Sequence, residues 1–265
     1  MNYEMLLEAH KRFGTTREDI ATGKEHFDIS ENVVIAPWWK VKMFENKSDI
    51  KIEKLSDKLY KIKKGESEFT FIELKRMGAP MMLDEVLALG VSECKNLIFI
   101  GSVGSLNKDI NIGDLVVPTY SVCGDGACRY LNENLEDDFL KKHEPNKEIT
   151  DCLISVAKEE AIKRNIKFHN VPNFSIDTIF AQFLYIDEIL NQGCEVIEME
   201  TAALFKAAQI ANIKATALFC VSDSTVKNKS LYSGRLESEN KYRHQVRFDV
   251  MPYILFKTFE NLKRG

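Results

Sequence analysis

The stretch Glu195–Phe205, EVIEMETAALF, constrains the fold of this 265-residue chain more than any other. Val196 and Ile197 are β-formers, and from Thr201 onward Leu204, Ala207, Ala208 and Ala211 recur at helical i, i+3, i+4, i+7 spacing, so a strand runs straight into a helix. A second apolar run, Leu218–Val221, ends in Ser222-Asp223-Ser224 and reads as the next strand with its exit loop. Glu198 and Glu200, two apart, share one face of an extended backbone, and Asp223 stands at the end of the following strand. Burying an acidic pair at a strand end is costly unless something pairs with it. Sugar hydroxyls and a protonatable ring nitrogen are suitable partners. The alternative, from spacing alone, is a set of solvated acids at two strand ends.

Hydrophobic residues make up 45% of the chain, enough for a core of this length, and the 29% of charged residues is ordinary for a globular protein. A net charge of −4 gives no support for a nucleic-acid surface. The six cysteines (Cys94, Cys123, Cys128, Cys152, Cys194, Cys220) form no CxxC pair, and they read as reduced thiols of a cytoplasmic protein. None of the five histidines pairs with a cysteine at ligand spacing, so no metal site is expected. The N-terminus MNYEMLLEAHKRFG lacks an apolar signal core, and no run reaches membrane-spanning length, so no membrane partner is expected.

Residues 1–30 read as a helical and irregular extension, and residues 31–265 as one domain. Asn32–Pro37 (NVVIAP) is a first core strand, followed by Trp38 and Trp39, which read as core or interface aromatics rather than a binding wall. Lys51–Leu74 reads as a helix or strand and then an antiparallel strand. An amphipathic helix, MMLDEVLALG, ends at Gly90 as a C′ glycine. Cys94–Ile100 is an apolar strand buried on both faces, and it runs into Gly101-Ser102-Val103-Gly104-Ser105, small residues that let an anion approach backbone N–H groups. LVVPTYSV is a further strand, Asn132–Lys147 a polar surface loop, residues 150–165 a helix, Lys167–Phe174 a strand and Ile186–Asn191 a helix. Ser230–Asn240 reads as a mobile flap, and Arg243–Leu262 as a closing helix interrupted or started near Pro252.

In this order the segments resemble the nucleoside phosphorylase and nucleosidase superfamily, which includes purine nucleoside phosphorylases, uridine phosphorylases and methylthioadenosine nucleosidases. The carriers are MGAP (Met77–Pro80), FIGSVGSL (Phe99–Leu106), IGDLVVP (Ile112–Pro118), GDGACRYL (Gly124–Leu131), SIDT (Ser175–Thr178), VIEMETAAL (Val196–Leu204) and VSDS (Val221–Ser224). The resemblance implies a single α/β domain with a mixed, partly barrel-like central sheet flanked by helices, assembled as a homo-oligomer, dimer or hexamer. It implies that Glu200 holds the ribose hydroxyls while Met199 and Met77 pack on the sugar. Glu198 and Phe180 then lie at the base, Gly101 and Ser102 at phosphate, and Asp223 protonates or hydrogen-bonds purine N7. The implied reaction is phosphorolysis of a purine-type nucleoside to free base and ribose 1-phosphate, with inorganic phosphate as co-substrate and no cofactor. Uridine phosphorylases share the GDGACRYL region but read uracil with a Gln-x-Arg set; Gln182-Phe183-Leu184-Tyr185 lacks that arginine, which favours a purine.

The chain also departs from the resemblance. The GDPxR motif of the family's phosphorylases is replaced by Ala36-Pro37-Trp38-Trp39-Lys40, and the arginine two residues before the Gly-Ser turn is Phe99. Phosphate normally takes paired cations with backbone donors. Lys40 and Arg76 are substitutes, and Arg235, Arg243 and His244 are candidates for a helper group near the flap. A nucleosidase that uses water remains open, as does a nucleoside-binding protein without turnover.

Overall fold

The computed structural model describes residues 1–26, 28–45 and 47–263. Helices α1 (Tyr3–Arg12) and α2 (Arg17–Gly23) lead into β1 (Asn32–Ala36). Strands β2 (Lys51–Lys54), β3 (Leu59–Lys64) and β4 (Ser67–Glu73) follow, then helix α3 (Ala79–Leu89). Next come β5 (Asn96–Ser105), β6 (Leu115–Gly124), β7 (Lys142–His143) and the long helix α4 (Lys147–Arg164). The chain continues through β8 (Phe168–Ile176), α5 (Ile186–Asn191), β9 (Val196–Glu198), α6 (Thr201–Ile210) and β10 (Lys214–Ser224). It closes with α7 (Glu237–Gln245) and α8 (Met251–Leu262), joined by a π-helical turn over Val246–Val250.

Five strands close on themselves. β5 pairs with β10 in parallel, β10 with β6 antiparallel, β6 with β8 and β8 with β9 in parallel, and β9 returns antiparallel to β5. From β5 the sheet extends through β1 and β4 to the β3–β2 edge. Alternate residues of the inner strands feed two separate cores, which is why their sequences read as unbroken apolar runs. Val33, Ile35, Leu97 and Phe99 face the layer of α3 and α6, where Ala203 and Ala207 pack with Met82 and Val86. Val34, Ile98, Ile100 and Leu218 face α4 and α8, meeting Leu153, Ile254 and Phe259.

The mixed α/β sheet with its barrel-like closure agrees with the expectation, and several local readings change. The Lys51–Leu74 stretch contains no helix: it forms the antiparallel β2–β3–β4 set. Gly90 is right-handed, with φ −63°, and so is not a left-handed C′ cap. A side chain there would strike the ring of Tyr3, whose hydroxyl donates to the Leu87 carbonyl at 2.5 Å, so this glycine serves the docking of α1. The polar Asn132–Lys147 stretch is anchored rather than free. Its Asp138 is 2% exposed and pairs with Lys206 of α6 at 2.6 Å, while β7 adds to β6. Pro252 sits in the first turn of α8, where its missing N–H costs nothing. Near the amino terminus His26 and Lys58 converge on the buried Glu85 of α3 at 2.8 and 2.9 Å. Although desolvation opposes it, those partners hold the Glu85 carboxyl well down, at about 2. No helix among the described residues is long and apolar enough to cross a membrane.

Candidate active site

A cavity of about 250 Å³ opens at the carboxyl ends of β1, β5, β9 and β10, where the barrel meets the edge of the sheet. Among its lining residues are Met77, Gly101, Ser102, Glu198, Met199, Glu200 and Asp223, so the fold brings together seven residues separated by as much as 146 positions in sequence. Each arrives for a local reason. β5 carries small residues where it leaves the core, so Gly101 and Ser102 present backbone to the cavity. β9 is only three residues long and turns at once into α6, which sets Met199 and Glu200 at the junction.

Glu198 and Glu200 play different parts. Glu198 accepts four hydrogen bonds: from Asn173 Nδ2 at 2.7 Å, Ser175 Oγ at 2.6 Å, and the backbone N–H groups of Glu200 at 2.7 Å and Thr201 at 2.9 Å. Two of those donors are free N–H groups at the start of α6, which a carboxylate satisfies and its charge complements. Glu198 therefore ties β8, β9 and α6 together at the cavity wall. Glu200 accepts from the protein at Gly78 N, at 2.6 Å, and its remaining surface faces the cavity. Burial and the neighbouring Glu198 charge push its carboxyl up to about 8. Burial pushes Glu198 up as well, and there the four donors pull against it. Glu198 is thus the member of the pair whose oxygens the protein itself satisfies, and Glu200 the one with an oxygen left for a ligand.

Asp223 is 4% exposed and its carboxyl is raised, burial outweighing the hydrogen bond from Ser222 Oγ at 2.5 Å and the charges of Arg235 and Arg243. Its position depends on Gly104 of the paired strand. A β-carbon there would come within 2.9 Å of Asp223 Oδ2, closer than non-bonded atoms tolerate.

Two arginines also line the cavity. Arg243, at the last turn of α7, donates from Nη2 to Ser102 Oγ at 3.0 Å, and Arg235 donates to the Ser222 carbonyl. Among the described residues neither guanidinium has a carboxylate within ion-pair distance, and Arg243 Nε is buried with no hydrogen-bond partner. Burial lowers the pKa of Arg243, an unfavourable setting for a cation left without an anion. Behind it the Arg247 guanidinium stacks 4.2 Å over the Trp39 ring, and burial plus the Arg243 charge bring it down to about 10. Phe99 closes this wall, edge-on to Phe219 at 5.0 Å.

Other sequence candidates lie elsewhere. Phe180 is 85% exposed and does not line the cavity; Ile179 and Gln182 on either side of it do. The one-residue offset turns the aromatic ring outward where the chain enters a 3-10 turn. Lys40 and Arg76 are exposed and do not line the cavity, and His244 stacks on Phe248 at 4.3 Å. Trp39 is core, as expected, and Trp38 is 59% exposed; both also line the cavity. Arg243 and Arg247 were not singled out as a pair by sequence. Their i, i+4 spacing was the available signal.

A closed five-strand barrel with an acid-lined cavity at its strand ends, facing unpaired arginines, defines a small-molecule site of the α/β type. The chain belongs to the phosphorylase superfamily, whose family model matches residues 40–245. A DeoD-type purine nucleoside phosphorylase of Mycoplasma genitalium is 29% identical over 145 residues, 53% of this chain and 57% of that protein. The chain thus spans little more than half the length of the curated relative it matches. Among solved structures, a uridine phosphorylase from Vibrio fischeri superposes with a TM-score of 0.69 at 15% identity, covering 90% of this chain and 93% of that one. An AMP nucleosidase from Bacteroides thetaiotaomicron superposes equally well, at 0.69, with 13% identity and coverage of 94% and 97%. At these identities the two structures speak for the fold.

Proposed function

We propose that this protein cleaves the N-glycosidic bond of a purine-type nucleoside by phosphorolysis, giving free base and ribose 1-phosphate. The observation that carries the reading is the Arg243–Ser102 contact: a half-buried guanidinium with no carboxylate in ion-pair range among the described residues, bonded to Ser102 of β5, on the same cavity as Glu200 and Asp223. A dianion there would take hydrogen bonds from Arg243 and Ser102, and Gly101, which lines the cavity without a side chain, allows it close approach. Arg235, within residues 230–240, and Arg243, just after them, would thus replace the cations that the sequence lacks after the first strand and at Phe99.

In this reading Glu200 accepts hydrogen bonds from ribose hydroxyls, which pull its raised carboxyl down and anchor the sugar between Met77 and Met199. A phosphate oxygen forms a bond to C1′ as the bond from C1′ to the base nitrogen breaks, and the electron pair leaves on the base. Asp223, kept protonated more readily by burial, passes its proton to N7 and neutralises the leaving group. The DeoD-type relative supports the purine and the phosphate. Glu198 belongs to the wall through its four protein hydrogen bonds, and Gln182 takes the place beside the base proposed for Phe180. The outward cluster Phe180 and Leu184, 85% and 79% exposed, supports a homo-oligomer, and a monomer in sedimentation would remove that element.

A hydrolytic nucleosidase is the second reading, favoured by the apolar Phe99–Phe219 wall next to Gly101 and Ser102. Base release from a nucleoside panel, with and without inorganic phosphate, separates the two. Phosphate-dependent release with ribose 1-phosphate as product upholds phosphorolysis. Free ribose at an unchanged rate without phosphate establishes the hydrolase, and binding without release establishes a nucleoside-binding protein.

A further inference from the structure

Away from the nucleoside cavity, the excursion between β6 and α4 folds back on itself and gathers four side chains. Cys123 ends β6, Cys128 lies in a 3-10 turn (Cys128–Leu131), Asp138 follows that turn, and His143 returns in β7, which pairs antiparallel with β6. One ligand atom from each lies within 4.8 Å of all the others. In sequence the set is Cys-x4-Cys-x9-Asp-x4-His. No familiar metal spacing contains it, because β7 pairing rather than sequence proximity supplies the last two members.

The group is enclosed. Cys123 and Cys128 are fully buried, Asp138 is 2% exposed, and only the His143 side chain, at 13%, reaches the surface. His143 Nε2 lies 2.8 Å from Asp138 Oδ2, but the contact is off the direction of a hydrogen bond, and that buried nitrogen has no hydrogen-bond partner. This nitrogen touches a carboxylate without hydrogen-bond geometry and has two thiol sulfurs within 4.8 Å, an arrangement an ordinary core avoids. It is what a metal ligand looks like.

We propose that Cys123, Cys128, Asp138 and His143 bind one thiophilic divalent cation of the zinc type in a closed, four-coordinate site. Two sulfurs, one imidazole nitrogen and one carboxylate oxygen suit a borderline-soft ion of tetrahedral preference. Zinc bond lengths set neighbouring ligand atoms roughly 3.3–3.8 Å apart, so side-chain rotations that draw the set in by about an ångström complete the sphere. Supporting groups are already present. Asp138 is held by Lys206 at 2.6 Å and Asn132 at 2.9 Å, and Asp125 Oδ1 accepts from the N–H groups of Ala127 and Cys128, both at 2.9 Å. Both thiols donate to Asp125 Oδ2 at 3.4 Å. On binding, each thiol passes its proton to solvent as the sulfur–metal bond forms, and the dication replaces those protons in balancing Asp125. With all four positions filled by protein and the group buried, the role is structural: it fastens the 124–143 excursion to β6 and, through the Asp138–Lys206 pair, to α6.

The test is metal analysis of full-length protein purified under reducing conditions without chelator, followed by chelator stripping and titration with cobalt(II). The expected results are about one zinc per chain and a saturable thiolate-to-cobalt charge-transfer band with the intense visible bands of tetrahedral cobalt. Cys123→Ser and Cys128→Ser should each abolish that band, while Cys152→Ser, a half-buried thiol of α4, should leave it intact. Trace zinc together with no cobalt band in the reduced wild-type chain would overturn the proposal. So would a band that survives in the Cys123→Ser/Cys128→Ser double variant, or a Cys123–Cys128 disulfide whose reduction restores no cobalt uptake. Should the serine variants fail to fold, the wild-type titration decides by itself.

Discussion

Replacing Arg243 by alanine tests the anion site directly. In the structure Arg243 donates to Ser102 Oγ, has a buried Nε without a partner, and has no carboxylate within ion-pair range among the described residues. Its removal therefore deprives the resting fold of one hydrogen bond from a cation to a neutral hydroxyl, and in compensation relieves the burial of that cation and its repulsion from Arg235 and Arg247. Thermal stability without ligand should stay within about 1 kcal/mol of wild type. Phosphate binding should behave differently, since a charge-assisted hydrogen bond contributes about 1.5–3 kcal/mol, a loss of roughly 10- to 150-fold in affinity. The assay has two arms. In the first, KM for phosphate is measured in the base-release reaction at saturating nucleoside. In the second, thermal unfolding is followed as phosphate is raised. At 100 times its Kd a ligand stabilises by about 2.7 kcal/mol, which for a chain of this size shifts Tm by roughly 5–10 °C. That stabilisation should be present in wild type and fall to about 0.3–1.4 kcal/mol in Arg243→Ala at the same phosphate concentration. An unchanged KM for phosphate with an undiminished phosphate-induced shift would refute the assignment of Arg243 to the anion.

Asp223→Asn should slow purine nucleosides by about 10²–10⁴-fold, and far less those substrates whose leaving group needs no proton; equal losses on both would remove Asp223 as the acid. Gly104→Ala pushes a methyl to within 2.9 Å of Asp223 Oδ2 and should lower kcat with little change in the KM for phosphate, whereas wild-type kinetics would mean that the acid tolerates displacement. Glu198→Gln turns an amide NH₂ towards donors and should destabilise the fold by about 1–3 kcal/mol, measured by urea unfolding at pH 7; a neutral result would contradict its role as the tie between β8, β9 and α6. Glu85 has a folded pKa depressed from 4.5 to about 2, so its contribution is fully present above pH 4.5 and disappears as pH falls through 2. Wild type minus Glu85→Gln should therefore show a stability difference that declines by about 3 kcal/mol over that window, and a flat difference would show that the His26–Glu85 contact carries no such weight.

Much of the site was legible before the structure because its carriers are local. The Glu-x-Glu spacing puts two acids on one face, the Gly-Ser turn opens backbone at a strand end, and Ser-Asp-Ser follows an apolar strand. Residues from all three line the cavity, but not in the local form expected: residues 101–105 continue β5 and residues 222–224 continue β10, paired with each other rather than forming a turn and an exit loop. The roles within the glutamate pair were not legible, since Glu198 became the tie only once Asn173 and Ser175 of β8 came alongside. Phe180 fell one residue out of register where a 3-10 turn rotates side chains by about 120° per step.

The sequence alone determined the strand–helix alternation, the two-faced burial of the inner strands and the identity of the chemical groups, because each depends on neighbours within a few residues. Tertiary structure decided which groups meet. Ring closure of β5 onto β10 set Gly104 under Asp223, docking of α7 brought Arg243 to Ser102, and β7 carried Asp138 and His143 back to two cysteines. Those encounters join residues 10 to 141 positions apart, and no local periodicity encodes them. They are fixed by the packing of whole elements, which minimises exposed apolar surface first and leaves the polar groups to find partners where the core has put them.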